Sequence, residues 1–282
     1  MNQVPVDFCE RVLLILSASF ENAIFSDRKW APPKIDYYDL FIGTISDKWV
    51  YGFEQHERQG EYVTLAEVRR NPNLRKVQLW FIGVFRNDPP MDKEKLYELD
   101  VDLAELLKLA SCLSNEPCLQ LAMTKFFEGP EAAVVKTWLA QRWYRRVSID
   151  NYLTNFNSII DKQVSRPQPT DIRIVLLDEG GKYLEKRLRS GHLTHLHLSD
   201  DGFKFSFAVM DGIIKRFLKE PEGYKPDNFK IIACFHDSSA EKLKKMKSDG
   251  ECSGESGCYV FGKQTPFLLI QKCDDHWCFS VV

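Results

Sequence analysis

Cysteine is scarce in this sequence, with eight in 282 residues. Small secreted domains that depend on disulfides contain about 8–10% cysteine or more, so the composition excludes a disulfide scaffold. Cys9, Cys112, Cys118 and Cys234 lie inside or beside apolar segments, where a free cysteine behaves as a small hydrophobic residue. We therefore expect reduced thiols and a cytoplasmic location, with the nucleus as an alternative.

Long hydrophobic runs are also absent. The apolar run Val12–Leu16 is short and follows Asp7, Glu10 and Arg11, whereas a secretory signal has a basic start and a longer apolar stretch. No window of about 18 residues is apolar and uncharged, as a membrane-spanning helix requires. The second residue, Asn2, is not the glycine that myristoylation needs. We therefore expect neither a secretory signal nor a membrane partner.

Neither sign of charge is in large excess. There are 38 Lys and Arg residues and 40 Asp and Glu residues, which gives a formal net charge of −2. Nucleic-acid-binding domains are usually basic, so this balance argues against a nucleic-acid partner. A chain of this length buries about 70% or more of its unfolded surface, so it requires no metal or disulfide to fold.

Motifs that signal common nucleotide and catalytic sites are missing. The sequence contains no GxxxxGK[ST] or GxGxxG phosphate loop, no GxSxG nucleophile turn and no HExxH zinc motif. Cys112 and Cys118 have no basic neighbour in the sequence that would activate a thiol nucleophile. We therefore predict no cofactor and no catalytic residue, and we expect that the protein is not an enzyme.

The strongest metal-like pattern lies near the C-terminus and consists of Cys252, Cys258, Cys273, His276 and Cys278. Its first cysteine pair is spaced more widely than a zinc knuckle. On one continuous strand, Cys273 faces away from His276 and Cys278 unless a turn intervenes. His195 and His197 share one face of a predicted strand, but no third ligand has a suitable spacing. We predict that these residues bind no metal.

The first seventy residues are predicted to form two helical segments, a β-hairpin and a third short helix. Residues 5–18 are predicted to form a helix that Pro5 begins, and a second short helical segment covers residues 20–30. The aromatic and β-branched segments Tyr37–Ile45 and Trp49–Phe53 predict a hairpin around the polar residues between them. Thr64 and Glu67 form a capping-box pattern, which predicts a short helix over 64–70.

From residue 77 onward, strand-like segments alternate with amphipathic helical segments. The predicted strands are Val77–Phe81, Leu119–Ala122, Arg146–Ile149, Ile172–Leu177, Leu193–Leu198 and Phe229–Phe235. The predicted helices are Leu103–Leu113, Glu131–Gln141, Tyr152–Lys162, Lys182–Arg189 and Phe203–Leu218. The middle strand starts follow each other at the roughly 20–30-residue period of leucine-rich or similar α/β repeats. His192–Leu198 resembles the strand of a leucine-rich repeat. An ordinary open α/β sheet is the alternative.

The alternation stops after a charged helical end at Lys242–Lys247. The polar, glycine-rich Asp249–Gly257 is typical of a loop, and three strand-like segments follow: Cys258–Lys263, Phe267–Lys272 and Trp277–Val282. The expected fold is α/β, with N-terminal short helices and a β-hairpin, an irregular leucine-rich-repeat-like strand–helix array and a small antiparallel β cap. We assign residues 1–33 to the helical segment, 34–248 to the strand–helix domain and 249–282 to the cap, which we expect to pack on that domain.

A basic and aromatic cluster provides the candidate binding residues Arg142, Trp143 and Arg145, with Trp138 and Tyr144 nearby. Arginines beside aromatic residues are common at protein interfaces. The simpler interpretation is a helix end, where cations interact favourably with the helix dipole.

The N-terminal sequence Pro5-Val-Asp-Phe-Cys-Glu-Arg-Val12-Leu-Leu-Ile-Leu16, followed after a gap by Trp30, resembles a degenerate F-box. The chain as a whole is similar to large nematode-expanded families of F-box-like proteins, which combine a VPxxFC start, an early strand pair, repeated strand–helix units and a final short sheet. The resemblance implies that residues 4–30 bind the adaptor subunit of a cullin ubiquitin ligase, and that the remainder binds a substrate for ubiquitination. The candidate contacts in that segment are Pro5, Phe8, Val12, Leu16 and Trp30.

Two further interpretations remain. Nematode PALS-type immune regulators have a similar length and no catalytic motif. If Asp7, Glu10 and Arg11 lie where an adaptor groove contacts apolar side chains, the link to ubiquitination fails. The chain would then be a scaffold or regulator that binds a paralogous protein in an immune or stress response. The second further interpretation is an enzyme whose site the sequence does not reveal. We expect non-catalytic protein–protein interaction, as an F-box-like substrate adaptor.

Overall fold

A computed structural model describes residues 35–56, 60–71, 74, 77–89, 92–99, 102–122, 128–152, 156–165, 170–177, 181–200, 202–224, 229–248, 253, 257–262 and 265–282. Within these residues the strands form one mixed sheet of thirteen strands. The fold is mixed α/β, as the sequence predicts. The predicted F-box-like helices, with Pro5, Phe8, Val12, Leu16 and Trp30, lie outside the described residues.

The sheet has a parallel centre and antiparallel edges. Its strands are β1 (Asp36–Ile45), β2 (Lys48–Gln55), β3 (Tyr62–Val63), β4 (Val77–Arg86), β5 (Tyr97–Glu98), β6 (Ser114–Ala122), β7 (Arg146–Tyr152), β8 (Asp171–Leu177), β9 (His195–Leu198), β10 (Lys230–Ala233), β11 (Cys258–Phe261), β12 (Leu268–Cys273) and β13 (His276–Val281). Strands β1, β4, β6, β7, β8, β9 and β10 are parallel neighbours in that order. Antiparallel pairing joins β2 to β1, with β3 and β5 beside it, and joins β13, β12 and β11 to β10.

Helices connect the strands and form a second layer. They are α1 (Leu65–Arg70), α2 (Leu103–Leu113), α3 (Pro130–Ala140), α4 (Asn157–Val164), α5 (Gly181–Ser190), α6 (Phe207–Lys219) and α7 (Ser238–Ser248), with 3₁₀ turns at Lys93–Lys95 and Pro221–Gly223. From α2 to α7, each helix contacts the next one along the chain. None of the described helices combines the length and apolar character needed to cross a bilayer.

One face of the parallel strands is buried because apolar and polar residues alternate along them. Ile172, Ile174, Leu196 and Leu198 are at most 2% exposed and pack with the helices in one continuous core. All six predicted strands are present and adjacent in chain order, which confirms the predicted array. A doubly wound sheet would instead reverse its strand order at a switch point.

The N-terminal hairpin and the short helix after it follow local sequence rules. Ser46 and Asp47 connect β1 to β2 with φ angles of 48° and 63°. Two successive left-handed residues match the right-handed twist of the paired strands. In α1, Thr64 accepts a hydrogen bond from the Glu67 backbone N–H, and the Glu67 side chain accepts one from the Thr64 N–H. The predicted capping box is therefore confirmed.

A second apolar cluster covers the other face of the sheet near its N-terminal edge. Phe41, Val50 and Phe85 are buried there. The absence of side chains at Gly43 and Gly83 makes room for the rings, because a Cβ at Gly43 would lie 2.7 Å from the Phe85 ring and one at Gly83 2.8 Å from the Phe41 ring. This face is therefore apolar around Phe41, Val50 and Phe85.

The C-terminal strands extend the same sheet. Strand β13 pairs with β10 from Ala233–Trp277 to Lys230–Ser280, and β12 and β11 follow it. Apolar residues of all three strands, among them Phe261, Ile270 and Phe279, belong to the main core. The predicted cap thus covers the free edge of the last parallel strand.

Two predicted helix starts are wrong. Tyr152 belongs to β7, where it pairs with Leu177, and the helix begins at Asn157. The predicted helix from Phe203 begins at Phe207, because the backbone of Phe205 bonds to the strand end instead: its N–H donates to the Cys234 carbonyl at 2.9 Å. Sequence periodicity alone does not detect this extended pairing.

Phe217 of α6 is fully buried, whereas Phe207 of the same helix is half-buried. We predict that Phe217→Ala lowers the free energy of unfolding by about 3–5 kcal/mol, because the lost ring leaves a cavity. Phe207→Ala, the matched control, should have a smaller effect because part of its ring is already in water. Urea denaturation of both variants measures this. Equal losses in the two variants would contradict the assignment of Phe217 to the core.

Candidate functional site

The face of the sheet opposite the helices carries polar side chains on five adjacent parallel strands. We define the open face by eight polar and at least partly exposed residues of β6–β10: Gln120, Arg146, Ser148, Asp171, Arg173, His195, His197 and Lys230. Asp150 and the exposed Val175 lie on the same side of the sheet. They alternate with core residues, since successive side chains of a strand point to opposite faces. The open face is therefore a direct result of the strand pattern that builds the core.

Strand register aligns four of these residues in a row across the sheet. Gln120 pairs with Ser148, Ser148 with Arg173, and Arg173 with His197. Asp150 lies further along β7 on the same face, and burial raises the pKa of its carboxyl while a hydrogen bond with Gln120 lowers it. This row is mostly neutral at its β6 end and basic at its β9 end.

A second row carries most of the charge. Arg146 pairs with Asp171, and Arg146 Nε lies 2.9 Å from Asp171 Oδ2. Arg173 Nε lies 3.1 Å from the same oxygen. His195 pairs with Lys230 at the other end of the row, and no described carboxylate forms an ion pair with Lys230. The Asp171 carboxylate therefore forms ion pairs with both Arg146 and Arg173, whereas Lys230 lies two strands away from it.

His195 and His197 lie on the open face, flanked by the buried Leu196 and Leu198, as the strand alternation predicts. Partial burial lowers the pKa of His197 below its usual range, and the positive charge of Arg173 lowers it further. His276 and Lys230 act in the same direction, whereas Asp171 opposes them. Burial is therefore the main cause of the lowered pKa of His197, and the nearby cations add to it.

An aromatic cluster borders the open face near the N-terminal edge of the sheet. A bulge in β4 places Trp80 outside the regular pairing with β1. The Trp80 ring lies 5.4 Å from the rings of both Tyr37 and His56, and the Arg145 guanidinium carbon lies 4.3 Å from its centroid. His56 Nδ1 lies 3.1 Å from Asp39 Oδ2, and burial raises the pKa of this carboxyl. We call these five residues the Trp80 cluster.

Cys118 lies on β6 between the Trp80 cluster and the open face. The sequence places no basic residue beside it, but the fold brings Arg145 and Arg146 close enough to lower its pKa. Burial has the larger effect and raises the pKa of this thiol above its usual value. A raised pKa keeps the thiol protonated at neutral pH, and a protonated thiol is a poor nucleophile.

The C-terminal cysteines and histidine share one face of the sheet. Asp274 and Asp275 form a two-residue turn, so that Cys273 pairs directly with His276, and Cys278 lies two residues further along β13 on the same side. Because of this turn, Cys273, His276 and Cys278 lie on the same face of the sheet. Even so, no group of three or more ligating side chains suitable for a metal occurs among the residues described, and Cys252 lies outside them.

The candidate binding residues Arg142, Trp143 and Arg145 contact three different partners. Arg142 follows the end of α3, and its guanidinium carbon lies 4.6 Å from the Trp138 ring centroid, within the helix layer. Trp143 is 44% exposed, and its ring lies 4.6 Å from the Lys162 ammonium nitrogen. Arg145 belongs to the Trp80 cluster. The sequence cluster therefore does not form a single patch.

An apolar groove of about 580 Å³ lies between α2 and α3. Its lining includes Leu107, Val134 and Trp138, with Lys108 as a charged neighbour. Lys108 is exposed to water and is not enclosed by the apolar side chains of the groove. The groove is a feature of the helix layer and does not reach the open face.

Sequence reasoning missed Arg146, Asp171, Arg173 and Lys230 as members of one surface. Arg146, Arg173 and Lys230 lie at polar positions of predicted strands, and Asp171 directly precedes the predicted strand Ile172–Leu177, so the alternation contained most of the signal. Combining these residues required the strand order and register, which no single strand specifies. A search with the whole chain against protein-family models, curated proteins and solved structures finds no match to any of them.

We predict that the ion pairs of Asp171 contribute little to folding. Asp171 and its partners Arg146 and Arg173 have side chains that are 35–49% exposed, so water screens the charges. Asp171→Asn should change the free energy of unfolding by less than about 1 kcal/mol. Ile172→Ala, one residue away in the core, should cost about 2–5 kcal/mol. If urea denaturation shows a larger loss for Asp171→Asn, the pairs are structural.

We also predict that the purified protein contains no stoichiometric zinc. A structural zinc site normally holds the metal with four closely spaced ligands. Elemental analysis of protein purified without added metal measures the content, and Cys273→Ser with Cys278→Ser should leave it unchanged. One equivalent of zinc that both substitutions remove would contradict the prediction.

Proposed function

We propose that this protein is a non-catalytic protein-binding protein that contacts its partner through the open face. The observation that carries the proposal is the asymmetry of the sheet, in which helices cover one face while the other presents polar side chains on five adjacent parallel strands. Exposed ion pairs contribute only about 0–1 kcal/mol each, so folding alone gives little reason for these charges. Arrays of stacked units commonly provide extended binding surfaces.

We further propose that residues 4–30 bind the adaptor subunit of a cullin ubiquitin ligase while the open face holds a substrate. The resemblance of the N-terminal sequence to an F-box supports this part, with Pro5, Phe8, Val12, Leu16 and Trp30 as contacts. One chain would then join two proteins through separate surfaces. The proposal expects the protein in the cytoplasm or the nucleus.

A second candidate is a regulator that binds a paralogous protein in an immune or stress response. It is favoured by Asp7, Glu10 and Arg11, because these charges interrupt the segment where an adaptor groove would contact apolar side chains. In this case the open face still binds protein, but the ligase is absent.

The two candidates differ in what the full-length chain captures. We predict that affinity purification recovers a cullin together with its adaptor subunit, and that deletion of residues 1–30 or the substitution Leu16→Glu abolishes the recovery. Recovery of a paralogue of similar size without a cullin would favour the regulator instead. Asp171→Asn, which leaves the N-terminal segment intact, is the matched control and should retain the adaptor.

Site-specific photo-crosslinking tests the open face itself. A photoreactive amino acid at Ser148, on the open face, should crosslink to a partner in cells, because a bound segment passes within a few ångströms of it. The same amino acid at Lys244, which is exposed on α7, is the matched control and should give no such product. Crosslinking from Lys244 but not from Ser148 would place the interface on the helices and overturn the proposal.

A further inference from the structure

We infer that the open face binds an extended, acidic segment of a partner protein that carries carboxylates at alternate positions. This inference rests on the proposed function, since it names the chemistry of the partner that the same surface would hold. It depends on two observations, namely the charge of the face and the positions of its cations, and the surroundings of His197 add a pH dependence.

The charge of the face is opposite to that of the whole chain. The chain carries a formal net charge of −2, yet this face presents three cations, Arg146, Arg173 and Lys230, against two carboxylates. These carboxylates are Asp171 and Asp150, and Asp150 forms a hydrogen bond with Gln120. Interfaces arrange complementary charge, so a positive surface on a slightly acidic protein favours an acidic partner.

The three cations are spread across the sheet. Arg146 and Lys230 are three strands apart, which corresponds to about 14 Å at 4.8 Å per strand, and Arg173 lies between them. An extended segment rises about 3.3 Å per residue, so it spans this distance in about four residues. Its side chains alternate, so every second residue faces the sheet at intervals of about 7 Å. Carboxylates at the first and fifth positions of such a segment therefore match the separation of Arg146 and Lys230, while Arg173 lies one strand from Arg146 and two residues off their row.

The surroundings of His197 give the inference a pH dependence. Burial and the positive charges of Arg173, His276 and Lys230 lower its pKa, while Asp171 raises it, and His195 lies two residues away on the same face. An acidic segment would offset these positive charges and stabilise the protonated imidazole. The pKa of His197 should then be higher in the complex than in the free protein. By linkage, binding should tighten as the pH falls from about 8 to about 6.

Fluorescence anisotropy with a labelled peptide of alternating glutamate and serine tests the inference on the full-length protein. We expect this peptide to bind at low ionic strength and to be released by salt, whereas a lysine–serine peptide of equal length should not bind. Arg173→Glu and Lys230→Glu should each weaken binding about tenfold or more, because they place like charges opposite each other. Arg189→Glu on α5 and Lys244→Glu on α7 make the same changes on exposed helix positions and should have no effect.

The pH dependence supplies a second measurement. Binding of the glutamate–serine peptide should be tighter at pH about 6 than at pH about 8, and His197→Gln should reduce this difference while preserving binding at the higher pH. An unchanged pH dependence in His197→Gln would remove the histidine from the interface. Urea denaturation of each variant confirms that it folds.

Three results would overturn the inference. They are absence of glutamate–serine binding, equal loss of binding in the helix-face control variants, and preferential binding of a single-stranded RNA of equal length. The proposed function has its own test: it is contradicted if a photoreactive amino acid at Ser148 gives no crosslink. A crosslink from Ser148 to a neutral or basic segment would keep the proposed function and reject the acidic partner.

Discussion

The burial of one sheet face under helices is the constraint on which the rest of this structure depends. Apolar residues such as Ile149, Ile174 and Leu198 must all point to the same side for a single core to form. Strand alternation then sends every intervening residue to the other side. The open face is thus fixed by the same packing that stabilises the fold, and its side chains are free to differ in chemistry without altering the core.

The outermost parallel strands, β1 and β10, would each have one unpaired edge if the sheet ended there. An unpaired edge strand exposes backbone hydrogen-bonding groups that can pair with another chain. Here antiparallel strands occupy both edges: β2 pairs with β1, and β13 pairs with β10. At the first edge the Phe41, Val50 and Phe85 cluster also covers the helix-free face, so the polar surface is displaced toward β6–β10.

The sequence predicts the elements of this fold better than their assembly. The predicted bounds of Leu103–Leu113 match the observed helix because its apolar stripe is a local feature, and the structure adds Asp102 as its N-cap. The predicted helices that begin at Tyr152 and Phe203 start too early. Tyr152 pairs with Leu177, and Phe205 forms a bridge with Phe235, and both partners are distant in sequence.

The candidate site shows the same division. The outward position of His195 and His197 follows from alternation within one strand and is confirmed. The joint placement of Arg146, Asp171 and Arg173 depends on the register between β7 and β8, which periodicity does not encode. The proximity of Arg145 to Cys118 likewise arises from tertiary packing, and it could not be inferred from their separation along the chain.

From β6 to β10, each parallel strand pairs with the next strand along the chain, and this order bears on how such a protein can change over generations. Duplication or loss of one strand–helix unit would join strands that already accept neighbours of the same kind. Each added unit would widen the sheet by about 4.8 Å and contribute a new set of outward residues. The length of the recognition surface could therefore evolve stepwise, independently of the packing within the units that remain.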